Sequence, residues 1–93
     1  MEILLTMLKV DLGILSTQAY DARLIQYLAS AQSLIVQEGA STLNADAPLD
    51  AQLIVMYAAW LWRRRDTQDG MPRALRWALN NRIMAEKAGD GNA

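Results

Sequence analysis

The sequence predicts an all-α domain: a compact bundle of about four helices around a central apolar helix spanning about 48–66. Three observations lead there. Apolar residues recur in steps of four, three and four, which is the spacing of one helix face. Gly13, Gly39, Asp69-Gly70 and Pro72 fall where helices should stop and start. No stretch shows the period-two alternation of a half-buried strand.

The central helix is apolar nearly all the way round. Leu49, Leu53, Met56 with Tyr57, and Trp60 form one stripe, and Ala51, Val55, Ala58 and Trp62 form the opposite one. A surface helix needs a single stripe. Two imply a helix covered on both sides, by its own chain or by a neighbouring subunit. Asp46 is expected to cap the start, and Pro48 fits the first turn. Asp50 adds negative charge at the positive end of the helix dipole, and Arg63, Arg64 and Arg65 add positive charge at the other end. The uncharged run from Ala51 to Trp62 is twelve residues. A membrane span needs roughly 18–20, so no membrane partner is expected.

The other helices are read in chain order. Residues 2–12 make a first helix with a broad apolar face of Ile3, Leu4, Met7, Leu8, Val10 and Leu12, stopped by Gly13. Ser16 or Thr17 is expected to cap a second helix running to about Glu38. Its core stripe is Leu24, Leu28, Ala31 and Ile35, widened by Ile25 and Leu34, with Arg23 a near partner for Asp21. Residues 39–47 form the main loop. Pro72 opens a fourth helix to about Ala88, with Leu75, Ala78, Leu79, Ile83 and Met84 inward and Arg73, Arg76 and Arg82 mostly on the other side. Residues 1–88 thus read as one helical domain, and 89–93 as a disordered tail. The expected core comprises Leu24, Leu28, Ala31, Ile35, Leu53, Met56, Tyr57, Trp60, Leu75 and Leu79.

With 93 residues and a hydrophobic fraction of 53%, the chain is small enough that oligomerisation would help its stability. Cysteine and histidine are absent, which removes disulfides, the usual zinc sites and histidine-based acid–base chemistry. No Asp-x-Asp or Glu-x-x-Glu pair is present. No enzyme activity, catalytic residue, cofactor or metal is therefore expected. Glu2, Lys9 and Asp11 break the pattern of a signal peptide, so an intracellular chain is expected.

The net charge of −1 hides an asymmetry. Residues 1–50 hold two basic and six acidic side chains, net −4, while residues 51–93 hold seven and four, net +3. Such a molecule can associate head to tail; equally, its solvated faces can simply differ in sign. The triple arginine has three readings: phosphate contacts shared with Arg73, Arg76 and Arg82, a solvated helix end, or salt bridges to a neighbouring subunit. Trp60, Trp62 and Trp77 are read as packing rather than ligand stacking. Trp62, pointing away from Trp60, is the candidate interface anchor, and Trp77 is either flanking core or a contact for another chain.

The order of these motifs resembles a known family. Leu8-Lys-Val-Asp-Leu-Gly-Ile14, Tyr20-Asp-Ala-Arg-Leu-Ile25, Ala31 to Gly39, the apolar helix ending in Arg63-Arg-Arg65, and Met71-Pro72 before a last helix with Arg82 are together similar to the small head–tail connector proteins of tailed phages, also called adaptor, head-completion or putative DNA-packaging proteins. The likeness covers roughly residues 4–85. It implies a helical subunit that assembles with itself into a ring of about a dozen copies. That ring would sit between the portal protein and a tail-side completion protein in the virion neck, with DNA passing non-specifically through its channel, each subunit being made in the bacterial host cytoplasm. On this reading Arg63, Arg64, Arg65, Arg73 and Arg76 divide between channel lining and inter-subunit pairing, with Trp62 and Trp77 as further contacts. The tail and the loop after Gly39 are shorter than is usual in that family. The alternatives, from other classes, are a small nucleic-acid-binding regulator using the arginines and a partner-binding helical module.

Overall fold

Gly13 ends the first helix by the mechanism its position suggests. Its φ of 74° is left-handed, and the N–H groups of Gly13 and Ile14 turn back onto the carbonyls of Val10 and Lys9. A computed structural model describes residues 1–91. It contains α1 (Glu2–Leu12), α2 (Asp21–Glu38), α3 (Pro48–Arg63) extended by a 3₁₀ turn (Arg64–Asp66), and α4 (Arg73–Gly91), with no strand among the described residues. The chain is all-α. The backbone of α4 is helical through Gly91, past the expected end at Ala88; of the predicted tail, residues 92 and 93 lie outside the described residues.

Two helix starts differ from the expectation. α2 begins at Asp21, with neither Ser16 nor Thr17 capping it. Thr17 Oγ1 instead accepts the N–H of Ala19 inside the turn at 3.1 Å. The start is set from outside, because buried Lys9 of α1 holds Asp21 at 2.8 Å, where Arg23 was the expected partner. Asp46 does not cap α3 either. Ala47 takes the capping position in extended conformation, and the first-turn Asp50 reaches back to accept the N–H of Asn44 at 2.9 Å.

α3 touches every other helix. Its most extensive contact is with α2, through Leu24, Leu28, Ala31 and Ile35, all buried. α1 supplies Leu4 and Leu8, and α4 supplies Leu75 and Leu79, also buried. Ile54, Leu53, Tyr57, Ala58 and Leu61 fill the middle, with Met56 and Trp60 half-buried. Of the two apolar stripes of α3, the second is covered by the chain itself, whereas the first stays partly open, with Leu49 exposed and Met56 and Trp60 half-buried. Ala51, Val55, Ala58 and Trp62, its second stripe, are buried by α1 and α2. Some inward assignments fail: Ile3, Val10, Leu49 and Met84 face outward.

The molecule is a slab. Its principal extents are 46 × 28 × 17 Å, the last about the thickness of two packed helices. The radius of gyration of 13.6 Å exceeds the roughly 12 Å expected for a chain this long. All four helices contribute to one core, which α4 enters through Leu75 and Leu79.

Gly39 shows how tightly α4 meets the α2 end. It has φ of 136°, and a Cβ there would lie 3.1 Å from Ile83 Cγ2 of α4. Gly39→Ala is expected to lower stability by about 1–3 kcal/mol through backbone strain and that contact. Gly70→Ala, in open space, should leave stability within about 0.5 kcal/mol. Urea unfolding of both variants checks the contrast.

Candidate functional site

Three features carry most of the chemistry that reaches the surface: a polar clasp, an aromatic–arginine cluster and an open groove.

The clasp fastens the loop between α2 and α3 onto α4. Arg82 Nε lies 2.8 Å from Asp50 Oδ1, and Arg82 also donates to Thr42 Oγ1 at 3.2 Å. Glu86 Oε1 accepts the Thr42 N–H at 2.6 Å and the Thr42 hydroxyl at 2.9 Å, with Ser41 at 3.3 Å. Arg82 was expected on the solvent side of its helix; it lies inward instead, four residues before Glu86 on the same face. Burial pushes the Asp50 carboxyl up, but the Arg82 guanidinium and the Asn44 N–H outweigh it and hold the group below its ordinary value. The backbone and hydroxyl of Thr42 hold Glu86 down against its desolvation, with Arg82 and Ser41 assisting.

The aromatic cluster closes the far end of α3. Trp62 is only 9% exposed. Its ring meets the edges of Tyr20 at 5.3 Å and Tyr27 at 6.0 Å, and Arg65 lies over it at 3.9 Å while donating to the Trp62 carbonyl at 2.6 Å. Trp62 is core, which corrects its assignment as an interface anchor; an indole this size between two tyrosines is better buried than offered outward. Arg64 lies over Trp60 at 4.5 Å, and Trp60 meets Tyr57 edge-on at 5.5 Å. The Trp60 Nε1–H is shielded with no acceptor.

The groove runs along the one face of α3 that no helix covers. Three adjoining hollows of about 480, 430 and 450 Å³ have Met56 in common. Leu49, Gln52, Met56 and Trp60 make the floor. Met7, Val10 and Asp11 of α1 form one wall, and Ala74, Ala78 and Ala85 of α4 the other. Val10 at 61% and Leu49 at 80% stand exposed along it, and Ile3, Trp77 and Met84 are large apolar side chains exposed elsewhere on the surface.

The expected site residues do not converge on one spot. Arg63 pairs with Asp11 at 3.2 Å, and Arg76 with Glu38 at 3.2 Å. Arg64 and Arg65 lie on tryptophans. Arg73 is exposed with no ion pair among the described residues, and Trp77 stands exposed near it. Sequence reasoning missed the groove wall and the clasp. The i, i+4 spacing of Arg82 and Glu86 was a visible signal for the latter. No cluster of three or more potential metal ligands occurs among the described residues, and no helix is long and apolar enough to cross a membrane. In comparisons with known proteins, no family model, curated protein or solved structure matches this chain.

The clasp makes stability depend on acid. Asp50 and Glu86 have lower pKa values folded than unfolded. Their contribution is full above the unfolded values of about 4 and is lost as pH falls through the folded ones. The thermal midpoint should therefore drop between about pH 5 and pH 3. Glu86→Gln should melt lower at pH 7 and fall less steeply, the two curves converging in acid; calorimetry across that range reads both.

Proposed function

We propose that this protein is a structural assembly subunit whose copies form a ring, and that the ring is a head–tail connector of a tailed phage or prophage, seated below a portal and extending its DNA channel. The observation that carries the assembly part is the groove. It is long, largely apolar and open in a chain of only 93 residues, and contiguous exposed apolar surface on a small protein marks a contact with another macromolecule. The polarity of charge fits the same reading. Arg63, Arg64, Arg65, Arg73 and Arg76 outnumber Asp11, Asp66 and Asp69 where the tail of α3 meets the start of α4, whereas Glu2 and Asp46 stand exposed toward the other end. The phage assignment rests on the order of motifs along residues 4–85.

The arginines favour assembly over a nucleic-acid-binding regulator. Arg63, Arg76 and Arg82 already face carboxylates, and Arg64 and Arg65 lie on rings. A reader of duplex DNA needs such groups turned to phosphates and base edges. DNA in a connector channel is touched loosely and without regard to sequence.

Size-exclusion chromatography with light scattering at rising protein concentration is expected to show ring-sized oligomers, or a monomer that assembles on portal rings. A strict monomer with no affinity for portal rings overturns the proposal. Duplex-DNA binding that falls steeply with salt and is weakened by Arg64→Ala would transfer the assignment to the regulator.

A further inference from the structure

Three surface pairs share one spacing. Ile3 and Val10 on α1, Leu49 and Met56 on α3, and Trp77 and Met84 on α4 are each seven residues apart. Seven residues are two helical turns, about 10.5 Å along an axis. All six are exposed except the half-buried Met56. Val10 of the first pair and both members of the second line the groove. The third lies on the outward face of α4, opposite Leu75 and Leu79, where no element of its own chain covers it. One molecule therefore carries both a groove and a helix stripe whose apolar residues repeat at the groove's own interval.

Charge chooses the direction of fit. Asp11 of α1 meets Arg63 of α3, so α1 and α3 run the same way and Glu2 lies toward the Asp46 end of the groove. Glu2 and Asp46 are exposed and make no ion pair among the described residues. On α4, Arg73 stands one turn before Trp77, likewise exposed and without an ion pair among the described residues. Placing Trp77 against Leu49 and Met84 against Met56 brings Asn80 level with Gln52, and Arg73 level with the turn that holds Asp46. Apolar residues, amides and opposite charges all match in that one register.

We infer that the groove receives α4 of a second copy of this chain, lying parallel to α3, with Trp77 and Met84 seated on Leu49 and Met56 and Arg73 facing Asp46 and Glu2. The inference rests on the assembly reading above and names the contact that builds the assembly. Groove and stripe are different surfaces, so the contact is head to tail. Each copy presents its own α4 to a third, and the series closes into a ring or continues as a filament according to the angle per step. Copies meeting through one self-complementary patch would instead stop at two.

Absence of cysteine makes the test clean. Gln52→Cys and Asn80→Cys, both at exposed positions, are prepared as separate full-length proteins and oxidised alone and mixed, beside light scattering of the unmodified chain. The expected result is a disulfide-linked heterodimer in the mixture only. Homodimers of either variant alone overturn the head-to-tail register. Oligomers without the mixed disulfide show that something other than α4 fills the groove, overturning this inference while leaving the assembly reading intact. A monomer with no cross-link overturns this inference, and it removes the assembly reading as well when the chain also fails to bind portal rings. Arg73→Glu is expected to weaken self-association at least tenfold, with Asp46→Arg in the partner restoring it. Weakening without rescue also counts against the register, provided circular dichroism shows each variant folded.

Discussion

A single helix has to serve as the core of three others. α3 packs extensively on each of α1, α2 and α4, and this explains why its sequence is apolar around most of its circumference. Helices pack at about 8–10 Å between axes, and close approach on several sides requires small residues. Ala51, Ala58 and Ala59 provide them, all buried, between the larger Ile54, Leu53 and Leu61. With three faces occupied, the fourth has nothing left in a chain this short to cover it. The groove is thus what remains when one central helix exhausts its neighbours, and its apolar floor is the part of the α3 pattern that the fold does not consume.

Much of the fold was legible in the sequence because its helix boundaries are local chemistry. Gly13 and Gly39 adopt positive φ at helix ends, and Pro48 stands at the first turn. The start of α2 was not legible, because the Lys9–Asp21 pair and the edge-on contact of Tyr20 with Trp62 set it from other helices. Tertiary contacts outrank a capping preference worth about 1 kcal/mol. The face of α4 was misread for a similar reason. Its inner line runs Leu75, Leu79, Arg82, Glu86, apolar for one half and charged for the other. Hydrophobicity counting draws Met84 inward and pushes Arg82 out. Only knowledge that the loop at Ser41–Thr42 comes to rest on the second half of α4 reverses the assignment.

The same limits applied to the candidate site. Spacing identified which residues could form a contact surface, but not which were already engaged. Trp62 and Trp77 are the same residue type near opposite ends of one connection, yet one is enclosed by two tyrosines and an arginine and the other is bare. An arginine cluster reads from sequence as free positive charge. In the fold most of it is turned to carboxylates, a carbonyl and aromatic faces, which leaves apolar shape as the more distinctive feature of the surface.

The way α4 is attached has a consequence for cooperativity. α1, α2 and α3 each pack on the other two, whereas α4 rests chiefly on α3 and is otherwise held by Ile83 near Gly39, by the Arg76–Glu38 pair and by the carboxylate–guanidinium clasp. Regions joined by few contacts open below the global unfolding free energy. On that principle α4 is the member expected to open first, its amides exchanging with solvent while the other three helices stay closed. Protons that loosen the clasp lower the cost of that partial opening first, so the chain separates into two layers of stability before it unfolds as a whole.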